Sequence, residues 1–62
     1  MAKFIKISTD QDELLLINSS HIKYVTKGEH YGATIFLSIE INGSAEIITQ
    51  ESIDEIEALL KN

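Results

Sequence analysis

Apolar and polar residues alternate along most of this chain, and the alternation gives way to helical spacing near its C-terminal end. The cleanest run is ATIFLSIEI, where Ile35, Leu37, Ile39 and Ile41 share one face and Thr34, Phe36, Ser38 and Glu40 the other. A period of two over that length predicts a strand. Asn42–Gly43 follows it, and this pair suits a two-residue type I′ hairpin turn because both central residues need positive φ. SAEIIT then returns, with Ala45 and Ile47 on one side and Glu46 and Ile48 on the other. Further upstream, KFIKIST sets Ile5 and Ile7 against Phe4 and Lys6, and HIKYVTK sets Ile22 and Tyr24 against Lys23 and Val25. Strands are expected over about residues 3–9, 13–18, 21–26, 33–41 and 44–49.

The connections carry turn chemistry. DQD (Asp10 to Asp12) joins the first two strands as a hairpin, and Asn18–Ser20 breaks the second, because short polar side chains bond to nearby backbone. KGEHYGA holds two of the three glycines and reads as a hairpin loop. In ESIDEIEALLKN the period changes: Ile53, Ile56 and Leu59/Leu60 form a helical stripe, and Ser52 with Glu55 fits a capping box. Asp54 and Glu55 suit the positive end of the helix dipole, and Lys61 suits the other end. A helix over about residues 52–61 is too short to hold alone in water, so it must dock on the sheet.

One segment resists the alternation. Leu14, Leu15, Leu16 and Ile17 are four consecutive large aliphatics, so as a strand they leave no polar face. The helix would cover one side. For the other side, either the sheet curls into a small barrel or the exposed apolar surface meets another copy, and the second reading is the one taken here. The fold class is α+β, mainly β: an antiparallel four- to five-stranded meander or small barrel with one C-terminal helix.

Length sharpens the argument. Sixty-two residues make a single domain, and a domain of that size buries only about 60% of its unfolded surface. There is no cysteine, hence no disulfide and no thiolate metal site. Oligomerisation is the remaining staple. Ten acidic residues against five lysines, with no arginine, give a net charge of −5, which argues against a nucleic-acid binder that must neutralise phosphates. No apolar run reaches signal-peptide or membrane-span length, so a cytoplasmic setting is the default expectation.

The order of signals in LLIN…HIKYV (Leu15 to Val25), TIFLSIEING (Thr34 to Gly43) and ESIDEIEALL (Glu51 to Leu60) resembles the FlbD-like family of very short bacterial proteins encoded among flagellar genes. The resemblance covers most of the chain in pattern. It departs after the first strand, where that family usually has a short glycine-containing turn and this chain has TDQDE. It implies a small regulatory or structural module without catalytic residues. ELLLINSSHIKYV is also similar to the strand–turn–strand core of LytTR-type DNA-binding domains. Those are longer and offer basic side chains to DNA, where this chain supplies Lys23 and Lys27.

Candidate chemistry is sparse. His21 and His30 stand nine positions apart with Glu29 nearby, short of the three ligands of a catalytic zinc site, and they read as surface residues. Tyr31 beside His30 reads as the tip of a solvated hairpin. Asp10, Asp12 and Glu13 surround a turn without calcium-loop spacing. Ser19 and Ser20 have no visible His–Asp partners, and the glycines form no phosphate loop. No catalytic, cofactor or metal residue is expected, and the chain is not expected to be an enzyme. A minimal enzyme assembled at an oligomer interface around His21 or His30 is the least supported reading.

The functional expectation is a non-catalytic protein-interaction or regulatory module that self-associates and whose partner is itself or another protein. Its contact surface is expected to comprise Phe4, Leu14, Leu15, Leu16, Ile17, Tyr24 and Phe36, since large aromatics anchor protein interfaces. The alternative is a small nucleic-acid-binding regulator that stacks bases on Phe4, Tyr24 and Phe36 with Lys3, Lys6, Lys23 and Lys27 around them.

Overall fold

A computed structural model describes residues 3–62. It contains strands β1 (Phe4–Ser8), β2 (Leu14–Asn18), β3 (Ile22–Lys27), β4 (Ala33–Ile41) and β5 (Ser44–Thr49), followed by helix α1 (Ile53–Lys61). The protein is mainly β with one C-terminal helix, as the sequence pattern predicts. The strands divide between two antiparallel sheets, β1–β2 and β3–β4–β5. Five antiparallel strands and one C-terminal helix match the expected α+β class, with the strands shared between a two-stranded and a three-stranded sheet. The sheets meet where Thr9 bridges Thr49, beside bonds from Asp10 N–H to Ile48 C=O and from Gln50 N–H to Ser8 C=O.

Local chemistry accounts for each turn. The β1–β2 hairpin closes with Thr9 N–H donating to Glu13 C=O at 2.7 Å, while the Thr9 hydroxyl accepts from the N–H groups of Gln11 and Glu13. Asp12 sits there at φ 62°, a conformation that Asp tolerates better than most residues. A single 3₁₀ turn, Ser19–His21, links β2 directly to β3, and the Asn18 side chain caps it by accepting from Ser20 N–H. Asn42 (φ 52°) and Gly43 (φ 82°) form the expected left-handed pair between β4 and β5. Between β3 and β4, Gly28 N–H donates to Gly32 C=O at 3.0 Å and closes the loop.

Two irregularities overturn the expected strand faces. The β3–β4 register shifts between Ile22 and Tyr24. Ile22 therefore packs with Val25 against the core, and Tyr24 turns outward instead of sharing Ile22's face. In the β4–β5 pair, Phe36 faces Glu46 and Ile41 faces Ser44, so β4 bulges between its positions 36 and 41. Ile35 and Leu37 are buried, but Ile39 is exposed and Ile41 only half-buried. A bulge breaks the two-residue period that placed all four on one face.

The core is built from Ile5, Ile7, Ile17, Ala33, Ile35, Leu37, Ile47 and Ile56. Buried Thr49 belongs to it without an orphan hydroxyl, since its Oγ1 lies 3.2 Å from Ala33 C=O and 2.9 Å from Glu51 C=O. Helix α1 starts with the expected capping box: the Ser52 hydroxyl accepts from Glu55 N–H, and the Glu55 carboxylate accepts from Ser52 N–H. At the other end Lys3 Nζ donates to Leu60 C=O at 2.9 Å, tying the helix to the start of β1. Glu57 and Lys61 pair at 3.3 Å, but both are exposed, so the pair adds little. Ser52→Ala should lower stability by about 1 kcal/mol, as loss of an N-cap usually does. Urea denaturation measures it, and an unchanged midpoint would mean the cap is dispensable.

Candidate functional site

The phase of each strand decides which of its residues face outward. In β1, Ile5 and Ile7 are inside, which leaves Phe4 and Lys6 outside. The register pairs Ile5 with Ile17 and Ile7 with Leu15, so those two β2 residues also turn inward. Lys6 faces Leu16, Ser8 faces Leu14, and Phe4 faces Asn18 on the outer side. That outer side exposes three large apolar side chains among Lys6, Ser8 and Asn18: Phe4 is 59% exposed, Leu14 68% and Leu16 67%.

The seven expected contact residues therefore separate. Phe4, Leu14 and Leu16 share the outer face of the β1–β2 hairpin, Leu14 and Leu16 along β2 and Phe4 on β1, diagonal to Leu16 and next to Lys6. Ile17 is only 5% exposed and belongs to the core, and half-buried Leu15 packs against that core. Neither contributes to the outer face, because a strand alternates its side chains between faces. Tyr24 and Phe36 lie on the other sheet, where their rings stack at a centroid distance of 4.6 Å and an interplanar angle of 20°. Phe36 is half-buried on the central strand of that sheet, so charging it would disturb the fold as well as the surface. Leu16 is the cleaner probe.

A groove lies between the two sheets, lined by residues of β1, β2 and β4. It is about 280 Å³ in volume, and Leu16, Ile17, Leu37, Ile39 and Ile41 are among its lining residues. The sequence pattern did not reveal it, since it exists because β4 bulges and shows Ile39 outward. No local signal in ATIFLSIEI marks the break in phase.

The lysines do not gather into one basic face. Lys3 is engaged with the helix carbonyl of Leu60, Lys6 lies on the outer face of β1, and Lys23 and Lys27 belong to β3. His21 ends the 3₁₀ turn beside β3, whereas His30 lies in the loop between β3 and β4. Among the described residues, no three His, Cys, Asp or Glu side chains are grouped to hold a metal ion. No helix among them is long and apolar enough to cross a membrane. No protein-family model matches the chain, and no curated protein or solved structure matches it.

Proposed function

We propose that this protein is a non-catalytic interaction or regulatory module that associates with itself. The observation that carries the reading is the outer face of the β1–β2 hairpin, where Leu14 and Leu16 are exposed two residues apart on β2 and Phe4 is exposed on β1, diagonal to Leu16. Single exposed hydrophobics are ordinary on protein surfaces, whereas contiguous ones mark sites of association. Small size supports the same reading, because a chain of 62 residues without cysteine gains stability by covering that face. The resemblance to the FlbD-like family is compatible with this reading, since it implies a small regulatory or structural module.

The double variant Leu14→Lys/Leu16→Lys tests this. Both side chains are exposed and outside the core, so the variant should keep its far-ultraviolet circular dichroism while sedimenting as a 6.9 kDa monomer. The parent chain should sediment faster at the same concentration. Identical sedimentation of the two proteins would remove the outer face from any role in association.

A further inference from the structure

The hydrogen-bonding phase of β2 can be worked out from its neighbours. In an antiparallel pair, opposed residues alternate between exchanging backbone bonds and pointing them away from each other. Thr9 N–H donates to Glu13 C=O, and Ser19 N–H donates to Lys3 C=O, both at 2.7 Å. Those two pairs bracket the β1–β2 ladder, so stepping inward by two makes Ile7–Leu15 and Ile5–Ile17 the bonded pairs. Ser8–Leu14 and Lys6–Leu16 are then the pairs that point away. Ser8 confirms the phase. Its N–H donates outward to the Glu51 carboxylate at 3.0 and 3.1 Å, and its C=O accepts from Gln50 N–H at 2.8 Å.

The backbone N–H and C=O groups of Leu14 and Leu16 therefore point to the open side of β2. Among the described residues, no strand pairs there. The same two residues expose their side chains on the outer face. The three-stranded sheet has two edge strands of its own, β3 and β5; β5 holds Glu46 and is bridged to Thr9 at its Thr49 end, and the contrast with β3 is informative. β3 carries Lys23 and Lys27 and a bulge beside Lys23, features that discourage another strand from adding. β2 reads LLLIN, with no charge, no proline and no shift in its ladder.

We propose that a second copy of this chain adds to the open edge of β2 as an antiparallel strand, so that two β1–β2 hairpins join into one four-stranded sheet about a twofold axis. This rests on the self-association reading and names its geometry. The register sets Leu14 opposite Leu16 of the second copy, and Leu16 opposite Leu14, with the two Leu15 residues across the axis. Four backbone hydrogen bonds form from groups that have no strand partner among the described residues. The four outward leucines meet on one face, and the two half-buried Leu15 side chains lie on the core face.

Charge selects the antiparallel sense. Glu13 directly precedes β2. In this register antiparallel addition sets each Glu13 opposite the uncharged Ile17 of the second copy. A parallel copy would set Glu13 against Glu13. A twofold axis also makes the contact self-limiting, because each copy has one such edge and uses it. A five-residue strand contact is small beside the roughly 800 Å² per partner of a standard interface, so the association depends on concentration.

Amide hydrogen exchange followed over a concentration series, with mass measured on the same samples, tests the proposal. In dilute solution the Leu14 and Leu16 amides should exchange close to the rate of a free chain. At concentrations where mass rises, both should slow at least tenfold, with the open-edge amides of β3 unchanged. A rise in mass with Leu14 and Leu16 still exchanging freely would overturn the edge proposal and leave self-association standing. A constant monomer mass would overturn both.

Discussion

Replacing Gly32 with alanine is expected to remove most of the stability of this domain. Gly32 sits at φ +69°, and an added β-carbon would lie 1.9 Å from the Thr49 carbonyl oxygen. That oxygen belongs to backbone and cannot swing aside as a side-chain tip would. Thr49 is also the residue that bridges Thr9 and joins the two sheets. The left-handed conformation costs a non-glycine residue roughly 1–2 kcal/mol, and forcing an extra carbon into packed surroundings adds about 1–3 kcal/mol. A domain of 62 residues has roughly 3–9 kcal/mol in total at typical stability per residue. Gly43→Ala is the internal comparison. Gly43 has φ +82° with nothing within 4 Å of an added carbon, so it should lose the conformational part alone. Urea denaturation of both variants separates the two contributions. Equal midpoints would mean that the contact with Thr49 relaxes freely.

Ile56→Ala should be almost as damaging, by a different route. Ile56 is 1% exposed and is the buried residue of helix α1. Truncating a buried isoleucine typically costs about 2–5 kcal/mol, through lost burial and the cavity left behind. Nine residues of helix do not hold together unsupported, so losing the anchor should release the whole helix rather than loosen one contact. The expected signature is a lower urea midpoint, with reduced helical circular dichroism before the main transition. A loss below about 1 kcal/mol would place the helix's anchorage elsewhere on its stripe, at Leu59 or Leu60.

The two variants also mark what could be read from sequence and what could not. The capping box at Ser52–Glu55 and the Asn42–Gly43 turn were legible because each is a local device, complete within four residues or fewer. The same holds for Ile5 and Ile7, whose alternation with Phe4 and Lys6 survives in β1. The need for glycine at position 32 was not legible, because the atom that forbids a side chain belongs to Thr49, distant in sequence. The bulges in β3 and β4 were hidden for a related reason. No glycine or proline inside HIKYVTK or ATIFLSIEI marks a bulge, yet pairing across the sheet moves Tyr24 and Ile39 outward.

The candidate surface was half legible. Four consecutive aliphatics announced a strand with two apolar faces, and the structure shows both: Leu15 and Ile17 turn towards the core, Leu14 and Leu16 outward. Composition could not separate Tyr24 and Phe36 from Phe4, since membership of one sheet or the other follows from topology. Nor could it tell which edge of the β1–β2 hairpin stays open. That follows from the Thr9–Thr49 bridge and the bonds of Ser8 and Asp10 to Gln50 and Ile48, which occupy the β1 edge.

Light scattering on the unmodified chain over a wide concentration range tests self-association most directly. The predicted result is a mass that rises from 6.9 kDa towards twice that value and then levels off, because a twofold contact closes on itself. A mass that stays at 6.9 kDa at the highest concentration would contradict the account and leave the outer face with Phe4, Leu14 and Leu16 uncovered by another copy.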